Sequence, residues 1–155
     1  NSKIILVYMA DDFENVKLIN NMVDLIDEGN ELIIPSRFID GGKMIGAKKI
    51  KKAVTVVGSY LLYYLARIPF KDCTNAFKMF SENVKNKIQL KSKTGFTFAM
   101  ELVIKSHLLN LKIKEIPSAW IEIKNRKSNF KVLKWLPNYT YWLIYAFIKN
   151  LLKFK

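Results

Sequence analysis

The sequence predicts an α/β fold in which a mixed sheet is flanked by helices. Short apolar runs of strand length alternate with longer segments whose apolar residues recur at helical spacing. Polar clusters follow apolar segments at residues 9–12, 35–42 and 72–78. Because ligands of α/β sheets bind at strand ends, these clusters are candidates for one shared site.

The first three elements form a strand–helix–strand unit. Residues 3–9 are a continuous apolar run, which predicts a buried strand. Residues 16–27 have helical spacing, and Gly29 supplies a stop signal. Residues 30–36 predict a second buried strand. We expect the two strands to pair in parallel through a right-handed crossover, which places the polar clusters behind both strands at one sheet edge.

The rest of the chain continues the alternation. We predict a helix over residues 47–67, a strand over 74–80, a helix over 96–109, two extended segments over 111–123 broken at Pro117, and a polar loop over 124–129. The uncharged stretch within the first of these helices has 14 residues. A bilayer span requires about 20 apolar residues, so this stretch is too short to cross a membrane.

The charge of the chain favours anionic partners. The sequence has 26 basic and 13 acidic residues, which gives +13, and the arginines are Arg37, Arg67 and Arg126. Base readout relies on the arginine fork, whereas lysine acts mainly as a point charge. The lysine excess therefore favours an anionic membrane surface or a phosphorylated molecule over nucleic acid, for which no motif is present. A biased genome composition would also explain it.

The single cysteine and the single histidine do not suggest chemistry of their own. Cys73 excludes an internal disulfide, fits a reducing compartment and is read as a small buried residue. His107 lies in an apolar helical stretch, and no zinc-type spacing of cysteine and histidine occurs.

The C-terminal segment, residues 131–155, combines aromatic residues with lysines. Tryptophan and tyrosine beside lysine are typical of an amphipathic helix at a membrane interface, where each lysine adds about 1 kcal/mol near an anionic leaflet. Aromatic residues at helical spacing are also typical of a protein core. We favour a peripheral interface helix.

Four motifs occur in the order MADD at residues 9–12, PSRFIDGG at 35–42, DCTNAFK at 72–78 and FAMEL at 98–102. Their wording and order resemble those of family 2 glycosyltransferases, in particular the dolichol-phosphate mannose synthase-like branch that makes polyprenyl-phosphate sugars. The resemblance implies that residues 1–130 are the C-terminal part of a Rossmann-like GT-A domain. The part of that domain that binds the nucleotide would precede this chain.

The resemblance implies a Mg²⁺ or Mn²⁺ ion held by Asp11, with Asp12 as a further ligand. The family pattern is Asp-Ala-Asp, and Met9 stands where its first acid would be. From the residues alone, an acidic pair behind a strand either binds a hard cation or caps the next helix.

The second motif implies a site for the phosphate of the lipid acceptor. Arg37 would bind this phosphate, supported by Ser36, while Gly41 and Gly42 allow the backbone to turn closely around a ligand. A basic residue early in the next helix would assist, and the candidates are Lys51 and, as the alternate, Lys48.

The downstream motifs imply further contacts. Asp72 and Asn75 would bind the sugar or brace the acceptor loop, although an Asx-turn explains them equally well. Glu101 would orient groups in the site or be a helix-surface charge. The family loop Arg-x-x-Gly-x-Ser-Lys keeps only Ser128 here, and Arg126 is expected to restore the phosphate contact.

Together these features imply transfer of a sugar from a nucleotide-diphosphate sugar to a polyprenyl phosphate. Asp11, Arg37 and Asp72 would be the catalytic residues, acting at the cytoplasmic face of the membrane, with a homo-oligomer also possible. The alternative is a non-catalytic, membrane-associated fragment of the same fold that lacks the nucleotide-binding half.

Overall fold

The protein, described by a computed structural model, has an α/β fold. The residues described are 3–10, 12–47, 49–93, 95–122 and 132–153. Their elements are β1 Ile4–Val7, α1 Leu18–Asp27, β2 Leu32–Ser36, β3 Lys43–Ile45, α2 Lys49–Tyr64, β4 Lys78–Ser81, α3 Glu82–Lys87, α4 Thr97–Leu108, β5 Ile113–Pro117, β6 Ala119–Ile121 and α5 Val132–Lys153. The predicted helices and strands are present, although β4 begins at Lys78 and not at residue 74, and α3 and β3 were not predicted. The polar loop predicted over residues 124–129 lies outside the described residues.

The main sheet has four strands in the order β1-β4-β2-β5. β4 is antiparallel to both of its neighbours, and β2 is parallel to β5 with Ser36 opposite Pro117. A second, small sheet pairs β3 with β6 in parallel. The prediction of a mixed sheet flanked by helices is confirmed.

The predicted pairing of the first two strands is wrong. β1 and β2 run in the same direction, but β4 lies between them and places Lys78 opposite Val7 and Phe80 opposite Leu32. The reason is burial on both faces: β4 carries three consecutive buried residues, 78–80, whereas β1 is only partly buried and exposes Leu6. β4 and the fully buried β2 take the two inner positions, and the less buried β1 takes an edge.

The sheet separates two apolar layers. Phe80 and Leu32 face a large cluster that includes buried residues of α2, α4 and α5. Met79 and Ile33 face the opposite side, where Met22 of α1 packs against them. Alternate residues of each strand therefore serve different layers, as the pleat requires.

Helix α5 packs its inner face on α2 and α4. Trp142, Ala146 and Asn150 are buried at intervals of four residues, so they form a single inner stripe. Trp142 donates its indole N–H to Ser92 Oγ at 2.9 Å, and Asn150 Nδ2 donates to the carbonyl oxygen of Ala66 at 2.8 Å. The helix predicted over residues 131–155 thus contributes to the core of the sheet layer.

Candidate functional site

One end of the main sheet gathers the polar clusters. β1, β2 and β5 all run towards this end, while β4 runs the opposite way and begins there. The segment that follows β2 and the segment that precedes β4 are therefore neighbours. The antiparallel insertion of β4 is what brings residues 72–78 beside residues 36–42.

The centre of this end is an ion pair between Arg37 and Asp72. Arg37 Nε donates to Asp72 Oδ2 at 2.7 Å, and Arg37 Nη2 donates to Oδ1 at 2.8 Å. The backbone N–H of Arg37 adds a third bond to Oδ2 at 3.0 Å. The Asp72 side chain is fully buried and that of Arg37 is 9% exposed. This is the bidentate fork geometry of the strongest Arg–carboxylate pairs.

The Asp72 carboxylate is saturated with donors. Thr74 Oγ1 and the N–H of Asn75 both lie 3.2 Å from Oδ1, and Arg37 Nη2 also donates to Thr74 Oγ1 at 2.9 Å. Burial works to raise the pKa of Asp72, but the charge and hydrogen bonds of Arg37, helped by the charge of Lys78, hold it below its ordinary value. Asp72 is therefore an anion at neutral pH.

The segment around Asp72 is fixed by side-chain to backbone bonds. Asn75 Nδ2 donates to the carbonyl oxygen of Pro35 at 2.8 Å, and Asn75 Oδ1 accepts from the N–H of Phe77 at 3.2 Å. Glu115 Oε1 accepts the N–H groups of Lys71 and Asp72, each at 2.9 Å. The Asx-turn interpretation of this motif thus describes the geometry, and Asn75 ties the motif to the end of β2.

The glycine pair closes the loop behind β2 onto the strand itself. A Cβ atom at Gly42 would lie 2.6 Å from the carbonyl oxygen of Ser36 and 2.7 Å from the carbonyl carbon of Arg37. Gly41 has φ +80, and the same carbonyl oxygen of Ser36 accepts the N–H of Ser118 at 2.9 Å. The loop is compact, and Gly42 lies close to the backbone of the loop itself. Ser36 is buried and part of this support.

Lys78 and Cys73 lie beneath the ion pair. Lys78 is fully buried, and its Nζ has no hydrogen-bond partner among the residues that the structure describes. Burial lowers the pKa of Lys78 to about 8, against the opposing charge of Asp72. Cys73 is fully buried, which confirms the prediction of a small buried residue, and this burial raises the pKa of its thiol far above its usual range.

Tyr139 of α5 lies within range of the charge of Arg37. Burial raises the pKa of Tyr139 to about 12, although the nearby positive charge of Arg37 works in the opposite direction. The ring also packs against the core cluster on the α5 side of the sheet. Helix α5 therefore brings a phenol to Arg37.

Asp12 serves the turn behind β1. Both of its carboxylate oxygens lie 2.7 Å from Asn15 Nδ2, and Asn15 Nδ2 also donates to the carbonyl oxygen of Ala119 at 2.7 Å. Among the described residues, no group of three or more His, Cys, Asp or Glu side chains is arranged to hold a metal ion. The described carboxylates therefore do not by themselves build the predicted metal site.

Glu101 supports a different loop. Its carboxylate accepts the N–H groups of Lys91 and Ser92 at 2.7 Å and pairs with Lys105 on the same helix. Burial works to raise the pKa of Glu101, but these donors hold it below its ordinary value. The alternative of a helix-surface charge is wrong because Glu101 is fully buried. It does not contact Arg37 or Asp72 through any of these bonds.

Several predicted residues lie outside the part of the chain that the structure describes. They are Asp11, Lys48, Arg126 and Ser128, together with the side chain of Lys51, whose backbone belongs to α2. Their roles stay predictions. The structure adds Lys78, Glu115 and Tyr139 to the site. The sequence contains a signal for Lys78, because it is a lone lysine inside an apolar run and unpaired lysines are rarely buried. No local pattern in the sequence indicates Tyr139.

No model of a known protein family matches the chain. Within the described residues, no helix combines the length and apolar character needed to cross a membrane. The candidate site therefore rests on its own geometry at the end of a mixed sheet: a buried Arg–Asp pair, a buried lysine without a hydrogen-bond partner in the part of the chain that the structure describes, and a tyrosine near Arg37.

Proposed function

We propose that the protein is a glycosyltransferase that moves a sugar from a nucleotide-diphosphate sugar to a polyprenyl phosphate at the cytoplasmic face of a membrane. The observation that carries this proposal is the position of Arg37, a cation at a strand end whose charge acts on Tyr139 of α5. The outer side of that helix is apolar. A cationic group next to an apolar helix suits an acceptor with a phosphate head and an isoprenoid tail.

The exposed faces of α2 and α5 support an apolar partner. The two helices pack against each other. Their outward side chains include Val57, Tyr60 and Tyr64 on α2 and Ile144 and Ile148 on α5, each at least 48% exposed. Exposed apolar surface of this extent marks an interaction site. The excess of lysine in the chain would add attraction to anionic headgroups.

The chemistry requires little from the protein beyond positioning. An oxygen of the acceptor phosphate forms the new bond to the anomeric carbon of the sugar, and the bond from that carbon to the nucleoside diphosphate breaks. Because the acceptor phosphate is already an anion, no strong general base is required. Arg37 would hold and orient this phosphate, while Asp72 and Asn75 fix the loop that carries Arg37 in place.

A divalent cation, Mg²⁺ or Mn²⁺, would stabilise the charge of the departing nucleoside diphosphate. Asp11 is the residue proposed to bind it. Asp12 would contribute only if its carboxylate exchanged its bonds to Asn15 for bonds to the ion, so we assign it no step in the transfer.

A transfer assay tests the proposal. The full-length protein is incubated with radiolabelled nucleotide sugars, Mn²⁺ and vesicles that contain polyprenyl phosphate, and label in the lipid fraction is counted. We expect lipid-linked sugar with the full-length wild type and at least about a hundredfold less with Arg37→Gln, because one charge-assisted contact to the reacting group is typically worth this much.

Arg67→Gln is the matched control, because it removes an exposed arginine and should leave transfer unchanged. Binding of the vesicles without transfer of any sugar would contradict the enzymatic proposal and favour the non-catalytic, membrane-associated alternative. Equal activity of the Arg37→Gln and Arg67→Gln variants would remove Arg37 from the mechanism.

A further inference from the structure

Lys78 is the one feature of the site that no contact in the described residues explains. It is fully buried on the inner strand β4, its Nζ has no hydrogen-bond partner among the described residues, and Asp72 is the opposing charge that acts on it most strongly. A buried ammonium without a hydrogen bond is unfavourable. Its persistence at this position suggests that it acquires a partner in another state of the site.

Arg37 is in the opposite situation, because its donors are already bonded. Its Nε and Nη2 donors are both bonded to Asp72, and this is the edge of the guanidinium that makes a bidentate contact. A phosphate that takes this edge would draw Arg37 away from Asp72. The buried Asp72 carboxylate would then lose its counter-charge, which is strongly unfavourable in a buried position.

We propose that Lys78 is a positioning residue that takes over the Asp72 carboxylate when Arg37 engages a phosphate. This inference rests on the assignment of Arg37 to the acceptor phosphate in the proposed function. In the free protein Arg37 neutralises Asp72 and Lys78 lacks a hydrogen bond. In the complex Arg37 neutralises the phosphate, and Lys78 neutralises Asp72.

The surroundings of Asp72 suit such an exchange. The N–H groups of Arg37 and Asn75 donate to the carboxylate from the backbone, so Asp72 keeps these bonds when the guanidinium leaves. The charge of Glu115 also acts on Lys78, more weakly than that of Asp72. Cys73 is a neutral thiol, and Glu115 is already bonded to two backbone N–H groups.

A double-mutant cycle with inorganic phosphate tests the exchange. Phosphate affinity is measured by calorimetry at pH 7 for wild type, Lys78→Met, Asp72→Asn and the double variant. We expect Lys78→Met to weaken phosphate binding about tenfold, because Arg37 then stays with Asp72. In the Asp72→Asn background Arg37 is already released, so Lys78→Met should have no further effect. Lys114→Met, an exposed lysine on β5, is the matched control.

Two outcomes would overturn the inference. If Lys78→Met binds phosphate as tightly as wild type, Lys78 plays no part in releasing Arg37. If it weakens binding equally in both backgrounds, Lys78 contacts the phosphate directly. Should Asp72→Asn fail to fold, NMR of the ¹⁵N-lysine wild-type chain decides the matter. Saturation with phosphate should slow proton exchange at the Lys78 ammonium, and an unchanged ammonium signal would overturn the inference.

The cycle separates this inference from the proposed function. If phosphate affinity depends on Lys78 as expected but no sugar is transferred to polyprenyl phosphate, the enzymatic proposal is contradicted and the exchange at Asp72 still stands. If phosphate affinity depends on Arg37 but not on Lys78, the exchange is contradicted and the enzymatic proposal still stands.

Discussion

At the scale of single residues, the site is organised around buried charge. Asp72 receives hydrogen bonds from Arg37, Thr74 and Asn75, and its anion is the best satisfied group at this end of the sheet. Lys78, close by, has a buried ammonium for which the described residues provide no hydrogen bond. A residue that reduces stability in the free protein is typical of a functional position.

Lys78→Met should therefore stabilise the free protein at neutral pH. The pKa of Lys78 falls from 10.5 to about 8 on folding, which corresponds to about 3 kcal/mol of penalty for the buried charge. Between these pKa values the unfolded chain binds more protons than the folded one, so the stability of wild type rises with pH. The advantage of the variant should thus be largest below pH 8 and shrink towards pH 10.5.

Urea unfolding of both proteins at pH 7 and pH 10 measures this difference. The groups that face Lys78, namely Arg37, Asp72, Cys73 and Glu115, are present in both chains, so their own titration largely cancels. A variant that is less stable than wild type at pH 7 would show that Lys78 serves as a structural partner of Asp72 in the free protein.

At the scale of elements, α5 has two different faces. Its inner stripe joins the core through Trp142 and Ala146, and Asn150 donates to the carbonyl oxygens of Ala66 and Arg67 just beyond the end of α2. These bonds satisfy carbonyl groups that the helix itself cannot. Helix α5, which carries Tyr139, is thereby fixed to α2.

Asn150→Ala should lower the free energy of unfolding by about 1–2 kcal/mol, because two carbonyl groups lose their donor. The loss is moderated because Asn150 Oδ1 has no partner among the described residues and also disappears. Urea unfolding measures it, with the exposed neighbour Lys149→Ala as control. Equal stability of the two variants would show that these bonds do not anchor α5.

The outer face of α5 should carry membrane affinity. Ile144 and Ile148 are 52% and 48% exposed on adjacent turns, and burial of each isoleucine is worth about 1.5–3 kcal/mol. We expect Ile148→Glu to reduce partitioning into anionic vesicles about tenfold or more while leaving the thermal midpoint unchanged. Leu109→Glu, 48% exposed at the end of α4, is the control, and an equal reduction in both variants would contradict a specific role for α5.

At the scale of the whole molecule, local patterns predicted the elements but not their arrangement. Apolar runs and helical spacing identified β1, α1, β2, α2, α4 and α5, because burial imposes its period on the sequence. The position of β4 between β1 and β2 depends on which strand is buried on both faces, and this is a tertiary property. The same insertion explains why residues 72–78 meet Arg37, which neither motif indicates alone.

For the same reason, the sequence predicted some residues of the site but not the contacts between them. Arg37 and Asp72 were identified from their motifs, but their mutual bidentate contact follows from the topology of the sheet. Lys78 is the last residue of the motif at 72–78, whereas Tyr139 belongs to a C-terminal helix that no spacing in the sequence connects to Arg37. Ser36, Gly41 and Gly42 are placed by the structure in the support of the loop that follows β2.

The most direct test of the central claim is flotation of the chain with vesicles of neutral lipid, with and without a few per cent of polyprenyl phosphate. Wild type and Arg67→Gln should bind more strongly when polyprenyl phosphate is present, because Arg37 recognises its head group. Arg37→Gln should lose this increment and keep only its binding to plain vesicles. An equal increment in Arg37→Gln and wild type would show that the phosphate is recognised elsewhere and would contradict the account.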